Sequence, residues 1–120
     1  MGDTIQVKSH DSPDETRTPE KTKVELVKLS SATLGRFTFQ PGWRWSDCIK
    51  PVVETDNCQN HHVGYAVSGV LMVRLENGQE ATIKAGDAYE IPPGHDAWVD
   101  GSEPFVGIEV QSAAEYAKPR

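Results

Sequence analysis

Three of the chain's four histidines lie beside segments that have the composition of strands and turns. His61 and His62 precede the strand-like run at residues 63–67, and His95 follows the turn Pro92-Pro93-Gly94. These segments are about one hairpin apart in the chain, so a small antiparallel barrel can bring their side chains together. Imidazole is the commonest metal ligand among protein side chains. The central functional question is therefore whether these histidines hold an ion.

The elements that would position them are strands. Residues 36–40 alternate strictly between polar and apolar types, and residues 70–75 and 80–84 flank Asn77-Gly78, the sequence signal of a type I′ hairpin. Further strands are predicted at 24–29, 43–46, 63–67, 89–91, 97–99 and 105–110. Their regular spacing favours an antiparallel barrel or sandwich, so the predicted fold class is all-β. Helical composition is confined to residues 112–117.

Length and charge limit the functional classes. A chain of 120 residues has room for one compact domain. Its formal net charge of -6 opposes binding to nucleic acid or to an anionic membrane, which leaves a small-molecule ligand as the expected partner. The chain has no apolar run long enough to span a bilayer and no signal-peptide pattern, so we predict a cytoplasmic protein.

The N-terminal segment differs from the rest in composition. Residues 2–22 are mostly charged or hydroxyl-bearing, with Ile5 and Val7 as their large apolar residues. Such a segment cannot bury enough apolar surface to offset its ordering entropy. We therefore predict a flexible polar tail at residues 1–22, with His10 solvated in it, and one domain at residues 23–120.

Two cysteines, Cys48 and Cys58, are too few for a disulfide framework. Free thiols or one metal thiolate are the favoured interpretations, with a Cys48–Cys58 bridge as the less favoured alternative in a reducing compartment.

Two glycine-bearing motifs resemble those of a single-domain cupin of the conserved barrel family. The residues that carry the resemblance are Gly64-Tyr65-Ala66-Val67-Ser68-Gly69, then Asn77-Gly78, then Gly86-Asp87 with Ile91-Pro92-Pro93-Gly94. The match covers roughly residues 36 to 110. The resemblance implies a double-stranded β-helix, which is a small jelly-roll barrel. It does not choose a function, because one fold hosts many chemistries.

The chain departs from the family's usual metal ligands. Counted from Gly69, the family's glutamate slot holds His62, and Cys58 and Asp56 occupy the two histidine slots before it. In the second motif His95 lies two residues before the usual histidine slot. Side chains of a strand alternate between faces, so these displacements keep the inward parity. The resemblance thus implies a rearranged site of Cys58, His62 and His95, with Asp56 or His61 as a fourth ligand.

One thiolate and two imidazoles suit a divalent transition metal, namely Zn, Fe, Ni, Co or Mn, whereas Mg²⁺ and Ca²⁺ prefer oxygen ligands. Three protein ligands leave one coordination position open for catalysis. Two observations weigh against a metal. The adjacent residues His61 and His62 face opposite sides of a regular strand, and Cys58 can serve as a small buried apolar residue.

Four aromatic residues are candidates for a substrate pocket. Trp43 and Trp45 share one face of their predicted strand, and such pairs more often pack a core than line a pocket. Trp98 could roof a pocket or seal a dimer contact, and Tyr65 could supply an acid or base group. Asp96, next to His95, is expected to have a surface or turn role, because neighbouring residues on a strand face apart.

Two hypotheses of function follow. In the first, the protein is a metal-dependent enzyme of the cupin kind, a lyase, isomerase or dioxygenase that acts on a small oxygenated molecule. In the second, the barrel is a metal-free ligand-binding or regulatory module. Cupins of this size often pair, so a homodimer is expected, with residues 24–29 as the element that crosses over.

Overall fold

The computed structural model describes residues 4–55, 58 and 61–110. Antiparallel strands dominate this part of the chain, which confirms the predicted all-β class. The elements, in chain order, are β1 (Glu15–Arg17), β2 (Thr22–Lys28), β3 (Thr33–Phe39), α1 (Trp45–Cys48), α2 (Lys50–Val53), β4 (His62–Ser68), β5 (Val70–Leu75), β6 (Glu80–Lys84), β7 (Ala88–Ile91), β8 (His95–Val99) and β9 (Phe105–Val110).

The strands form two sheets that face each other across the core. One sheet has six strands in the order β1-β2-β3-β9-β4-β7, and the other has three in the order β6-β5-β8. Buried and less buried residues alternate from Leu34 to Phe39 of β3 and throughout β8 and β9, which reflects the period of two along a strand. The inward side chains include Phe37, Phe39 and Phe105, each at most 4% exposed.

The prediction of a strand at residues 43–46 is wrong. The chain forms the one-turn helix α1 there, because the N–H groups of Cys48 and Ile49 donate to the carbonyls of Arg44 and Trp45. Trp43 and Trp45 are nevertheless both buried, with the less buried Arg44 between them. Trp43 also stacks on Phe39, with ring centroids 3.8 Å apart. A period of two in a short aromatic run therefore does not by itself identify a strand.

The hairpin between β5 and β6 is confirmed, but its predicted turn type is wrong. Gly78 N–H donates to the Leu75 carbonyl at 3.0 Å, and Leu75 N–H donates to the Gln79 carbonyl at 2.9 Å. Of the pair Asn77-Gly78, only Gly78 has a positive φ, at 91°. A type I′ turn needs positive φ at both residues, so the connection is a three-residue loop with glycine in the left-handed position.

The N-terminal segment follows a path along the sheet that composition did not predict. Strand β1 pairs with β2 in the register Glu15↔Leu26, so the sheet begins before the predicted boundary at residue 22. Lys8 Nζ donates to the Lys28 carbonyl at 2.8 Å, and His10 Nε2 lies 3.1 Å from the Leu34 carbonyl oxygen. These are hydrogen bonds from polar side chains to strand backbone, a gain that an estimate from apolar burial leaves out.

The addition of β1 also changes the place of β2. The residues expected to cross over to a partner lie largely in β2, which is paired on both sides within its own chain.

The predicted helix at residues 112–117 lies outside the described residues. None of the helices in the described part of the chain has the length and apolar character that a membrane span requires.

Candidate functional site

Three predicted ligands meet inside the barrel. Cys58 forms an isolated antiparallel bridge with His95, in which Cys58 N–H donates to the His95 carbonyl at 2.8 Å. His62 is the first residue of β4, and His95 is the first residue of β8, so the two sheets each contribute one imidazole. The Sγ atom and one nitrogen from each ring all lie within 4.8 Å of one another. We call these three residues the Cys-His-His cluster.

All three members of the cluster are buried, with exposures of 2%, 4% and 3% for Cys58, His62 and His95. The inward parity expected for His62 and His95 is present, because Ala66 and Ala97 are buried on the same strands at even spacing from them. The cluster is therefore shielded from bulk solvent, and electrostatic interactions there are stronger than in water.

The orientation of His62 is set by a buried carboxylate. His62 Nδ1 lies 2.6 Å from Glu109 Oε1, and both side chains are almost fully buried. An ionised carboxylate can only accept, so Nδ1 carries the proton of this hydrogen bond. Nε2 then faces Cys58 Sγ at 3.5 Å. A carboxylate in this position is the usual support for a metal-binding histidine.

His95 is oriented in the same sense by the backbone. Its Nδ1 lies 2.8 Å from the Pro92 carbonyl oxygen, which can only accept, so Nδ1 again carries the proton. Nε2 is the ring nitrogen left for the cluster. The two rings meet edge to face, with centroids 5.1 Å apart and planes at 70°. Both imidazoles thus have Nδ1 occupied by an acceptor and Nε2 available as a ligand.

The electrostatics of the cluster favour a thiolate. Burial opposes ionisation of Cys58, but the electrostatic and hydrogen-bonding interactions of its sulfur with His62 and His95 outweigh burial and lower the pKa of the thiol to about 6. Burial likewise opposes protonation of His62, but the Glu109 carboxylate and Cys58 raise the pKa of this imidazole to about 10. Without an ion the pair therefore resembles a thiolate and an imidazolium. The thiolate is the form of cysteine that binds metals.

The donor set suits a transition metal, and one separation within it fits tetrahedral coordination. Typical Zn–S and Zn–N lengths place a sulfur and a nitrogen ligand about 3.6 Å apart at the tetrahedral angle. The separation of 3.5 Å between Cys58 Sγ and His62 Nε2 agrees with that value. Two nitrogens and one thiolate suit Zn, Fe, Co or Ni better than Mg or Ca.

The structure does not bring His61 to the cluster. Its side chain is half exposed, and its Nε2 lies 2.7 Å from Glu90 Oε2 on the outer side of the barrel. The reason is the alternation of neighbouring residues, which sends His61 outward when His62 points inward. Asp56, the other candidate for a fourth ligand, lies outside the described residues.

Two of the four predicted pocket residues border the cluster. Trp43 and Trp45, 2% and 1% exposed, line a small cavity together with His62 and His95. The volume of this cavity is about 20 Å³, which is room for about one water molecule. As it stands, this cavity is too small for an organic substrate.

The other two candidates lie elsewhere. Tyr65 is 51% exposed on the outer face of β4. Trp98 faces away from His95 on β8, with the Arg44 guanidinium 4.4 Å from its ring centroid. Asp96 also lies on that side and accepts from Ser46 N–H and Oγ, so it joins β8 to α1 and does not support His95.

Sequence reasoning missed Glu109 and Tyr89, which complete the surroundings of His62. Tyr89 Oη donates to Glu109 Oε2 at 2.7 Å, and burial together with the Glu109 charge raises the pKa of the phenol. The available signal was the alternation of β9, which places Glu109 on the inward face with Phe105 and Gly107. A carboxylate at an inward position of a strand requires a partner, and His62 and Tyr89 are those partners.

Two glycines leave the space that Tyr89 and Glu109 occupy. A Cβ added at Gly107 would lie 2.7 Å from Tyr89 Oη. One added at Gly64 would lie 2.6 Å from the Ile108 carbonyl oxygen, 2.7 Å from Glu109 Cγ and 2.9 Å from Tyr89 Cζ. Both glycines lie in strands where a larger residue would otherwise strengthen the sheet. These close approaches of neighbouring atoms explain why both positions are glycine.

Comparison with known proteins identifies the fold. No protein-family model matches the chain, and no curated protein matches it. Among solved structures, an uncharacterized conserved protein with a double-stranded beta-helix domain from Klebsiella pneumoniae is 19% identical, with a TM-score of 0.59 over 89% of each chain. KdgF from Halomonas sp. is 20% identical, with a TM-score of 0.59 over 86% of this chain and 87% of that one.

A third solved structure is a polyketide cyclase, RemF from Streptomyces resistomycificus. It is 14% identical, with a TM-score of 0.63 over 89% of this chain and 78% of that one. These likenesses confirm the predicted cupin-type double-stranded β-helix. At such low identity they describe the fold and not the reaction.

Proposed function

We propose that this cupin-type double-stranded β-helix holds one divalent transition metal at Cys58, His62 and His95, and that it acts on or binds a small oxygenated molecule. The observation that carries the proposal is the convergence of three ligand atoms within 4.8 Å. Each imidazole has its Nδ1 bonded to an acceptor, which leaves Nε2 directed to the cluster. This tautomer and orientation are those of metal-binding histidines.

The chain's own residues prepare the cluster for a cation. The thiol of Cys58 ionises readily beside the two histidines. To hold a cation, His62 loses its Nε2 proton, whereas its Nδ1 proton stays on the bond to Glu109. When bound through three protein ligands, such an ion supplies Lewis-acid chemistry at its open position. The surrounding tryptophans exclude bulk water.

A second candidate function is a metal-free ligand-binding module. The observation that favours it is that the cluster is already satisfied without an ion. Cys58 Sγ interacts with His62 Nε2 at 3.5 Å, and no buried side-chain nitrogen or oxygen of the described residues lacks a hydrogen-bond partner. In this case the imidazolium and thiolate would act as a structural ion pair.

We also propose a cytoplasmic location. Both cysteines are free and buried, which suits a reducing compartment. This proposal is independent of the metal.

Cobalt titration tests the metal proposal. Co²⁺ bound by a thiolate gives a near-ultraviolet charge-transfer band that free Co²⁺ lacks. We expect this band to saturate at one equivalent in the wild type, to be lost in Cys58→Ser and to persist in Cys48→Ser. Cys48 is the matched control because it is also a buried free cysteine, but lies outside the cluster. A wild-type protein without the band would favour the metal-free module.

A further inference from the structure

A second and larger cavity lies between the two sheets, where strands β6 and β7 face each other. Its volume is about 290 Å³, close to the lower limit of ordinary ligand pockets. We call it the β6–β7 groove. Its inner walls are formed by buried apolar or aromatic side chains, namely Val73, Ile83, Tyr89 and Ile91.

The groove exists because the two sheets do not close here. In the described part of the chain, β6 is an edge strand of the three-stranded sheet and β7 is an edge strand of the six-stranded sheet. An edge strand presents backbone N–H and C=O groups on its unpaired side. Ala81 of β6 and Ala88 of β7 both line the groove and are exposed, so small side chains leave these edges accessible. The groove thus combines apolar walls with backbone hydrogen-bonding groups.

The charges around the groove select against anions. Three of its described lining residues, Glu80, Asp87 and Glu90, carry carboxylates, and none of the described lining residues is lysine or arginine. Glu80 and Glu90 also have outward partners, Arg74 at 3.7 Å and His61 at 2.7 Å, and these exposed pairs are weak and screened by salt. An anionic ligand would approach like charges here.

The groove adjoins the Cys-His-His cluster through one side chain. Ile91 lines both the groove and the small cavity beside His62 and His95. It lies directly opposite His62 in the pairing of β4 with β7, so the two side chains are neighbours on the inward face. Ile91 is 5% exposed and separates the two spaces.

We infer that the β6–β7 groove is a binding site for an uncharged or cationic small molecule with an apolar body and a hydroxyl, carbonyl or amino group, and that Ile91 separates this ligand from the cluster. The separating role of Ile91 rests on the proposed function, because it assumes a metal at the cluster. Binding of a ligand in the groove does not depend on a metal. The carboxylates of Glu80, Asp87 and Glu90 disfavour a small carboxylate as the ligand of the groove.

The test uses three ring compounds of similar size and different charge. Benzyl alcohol, benzylamine and benzoate are titrated into ¹⁵N-labelled full-length protein, both metal-free and after addition of zinc, and amide shifts are followed by NMR. We expect saturable shifts at Ala81, Thr82 and Ala88 with the alcohol and the amine, and at least tenfold weaker binding of benzoate. Ala81→Trp should weaken binding at least tenfold, because the indole fills the groove.

Lys84→Trp is the matched control, since Lys84 is exposed on the same strand and does not line the groove. Equal or tighter binding of benzoate, no saturable shifts, or no effect of Ala81→Trp would overturn the inference. Groove binding in a protein that retains no zinc would support the groove and reject the metal. Stoichiometric zinc without ligand binding in the groove would support the metal site and reject the groove as a binding site.

The role of Ile91 has its own test in cobalt-loaded protein. Imidazole, a small neutral metal ligand, should change the visible cobalt spectrum at an at least tenfold lower concentration in Ile91→Ala than in the wild type. Ile83→Ala removes the same groups from the groove wall but not from the wall beside His62, so it should behave as the wild type does. Equal responses of the two variants would contradict the separating role of Ile91.

Discussion

His62 Nδ1 and Glu109 Oε1 are 2.6 Å apart inside the barrel, and this pair decides which ring nitrogen faces Cys58. The register of β4 with β9 sets Glu109 opposite Gly64, two residues from His62 and on the same inward face. Tyr89 donates to the other carboxylate oxygen. His62 on β4 is thus supported by side chains from β9 and β7, the two strands that flank β4 in its sheet.

Glu109 should act as a positioning residue for the metal. Glu109→Gln keeps an oxygen acceptor for His62 Nδ1 but loses the charge, so we expect about tenfold weaker zinc binding, and about a hundredfold for Glu109→Ala. Competition with a chromophoric chelator measures both. Glu90→Gln is the control, because this exposed carboxylate contacts His61 and not the cluster. Wild-type affinity in both Glu109 variants would show that the carboxylate does not support the site.

Gly107 should be intolerant of a side chain because Tyr89 occupies the space. A Cβ there would lie 2.7 Å from Tyr89 Oη, so Gly107→Ala should lower the free energy of unfolding by about 1–3 kcal/mol. The same substitution in a Tyr89→Phe background should cost less, although the Phe105 ring remains at 3.1 Å. Chemical denaturation of the four proteins gives the coupling energy. Additive effects would contradict a contact between the two residues.

The sequence predicted features that depend on neighbouring residues of one strand better than contacts between residues far apart in the chain. Inward parity along β4 and β8 was readable from alternation, and it placed His62 and His95 correctly. Pairing between distant strands was not readable, so the contact of Glu109 with His62 across 47 positions was missed. The aromatic alternation at residues 43–46 predicted a strand, but backbone hydrogen bonds form a helix that begins at Trp45. Side-chain alternation does not reveal such local hydrogen bonds.

The cross-strand pair Glu25–Arg36 should make stability depend on acid. Hydrogen bonding by Arg36, at 2.9 Å and 3.2 Å, outweighs burial and lowers the pKa of the Glu25 carboxyl. A lowered native pKa contributes stability above the unfolded value of about 4.5, and that stability is lost as pH falls through the native pKa. Arg36→Ala should therefore destabilise by about 1–3 kcal/mol at pH 7 and by less at pH 3.

Urea denaturation at the two pH values measures this difference. Arg74→Ala is the matched control, since Arg74 and Glu80 form an exposed pair at 3.7 Å whose loss should cost little. A cost for Arg36→Ala that does not change between pH 7 and pH 3 would contradict the linkage.

The predicted homodimer has an available surface on the outer face of the six-stranded sheet. Val63, Tyr65 and Val110 are 48%, 51% and 41% exposed there, and Tyr65 pairs with Ile108 of β9. Burial of such a face against a second copy would remove apolar surface from water. Tyr65→Lys should then shift the protein towards monomer in analytical ultracentrifugation.

Val7→Lys provides the comparison, because Val7 is 88% exposed in the N-terminal segment. This variant should sediment as the wild type does. A wild type that is monomeric at all concentrations, or a Tyr65→Lys variant that dimerises as strongly as the wild type, would contradict the use of this face.

The decisive measurement is the metal content of untagged protein purified without chelator, determined by mass spectrometry for the wild type, His62→Ala and His61→Ala. The two variants remove neighbouring histidines, one inside the cluster and one paired with Glu90 outside it. We predict about one equivalent of Zn, Fe, Ni, Co or Mn in the wild type and in His61→Ala, and a loss of the metal in His62→Ala. No stoichiometric metal in the wild type, even after anaerobic supplementation, or equal metal in both variants, would contradict the proposed site.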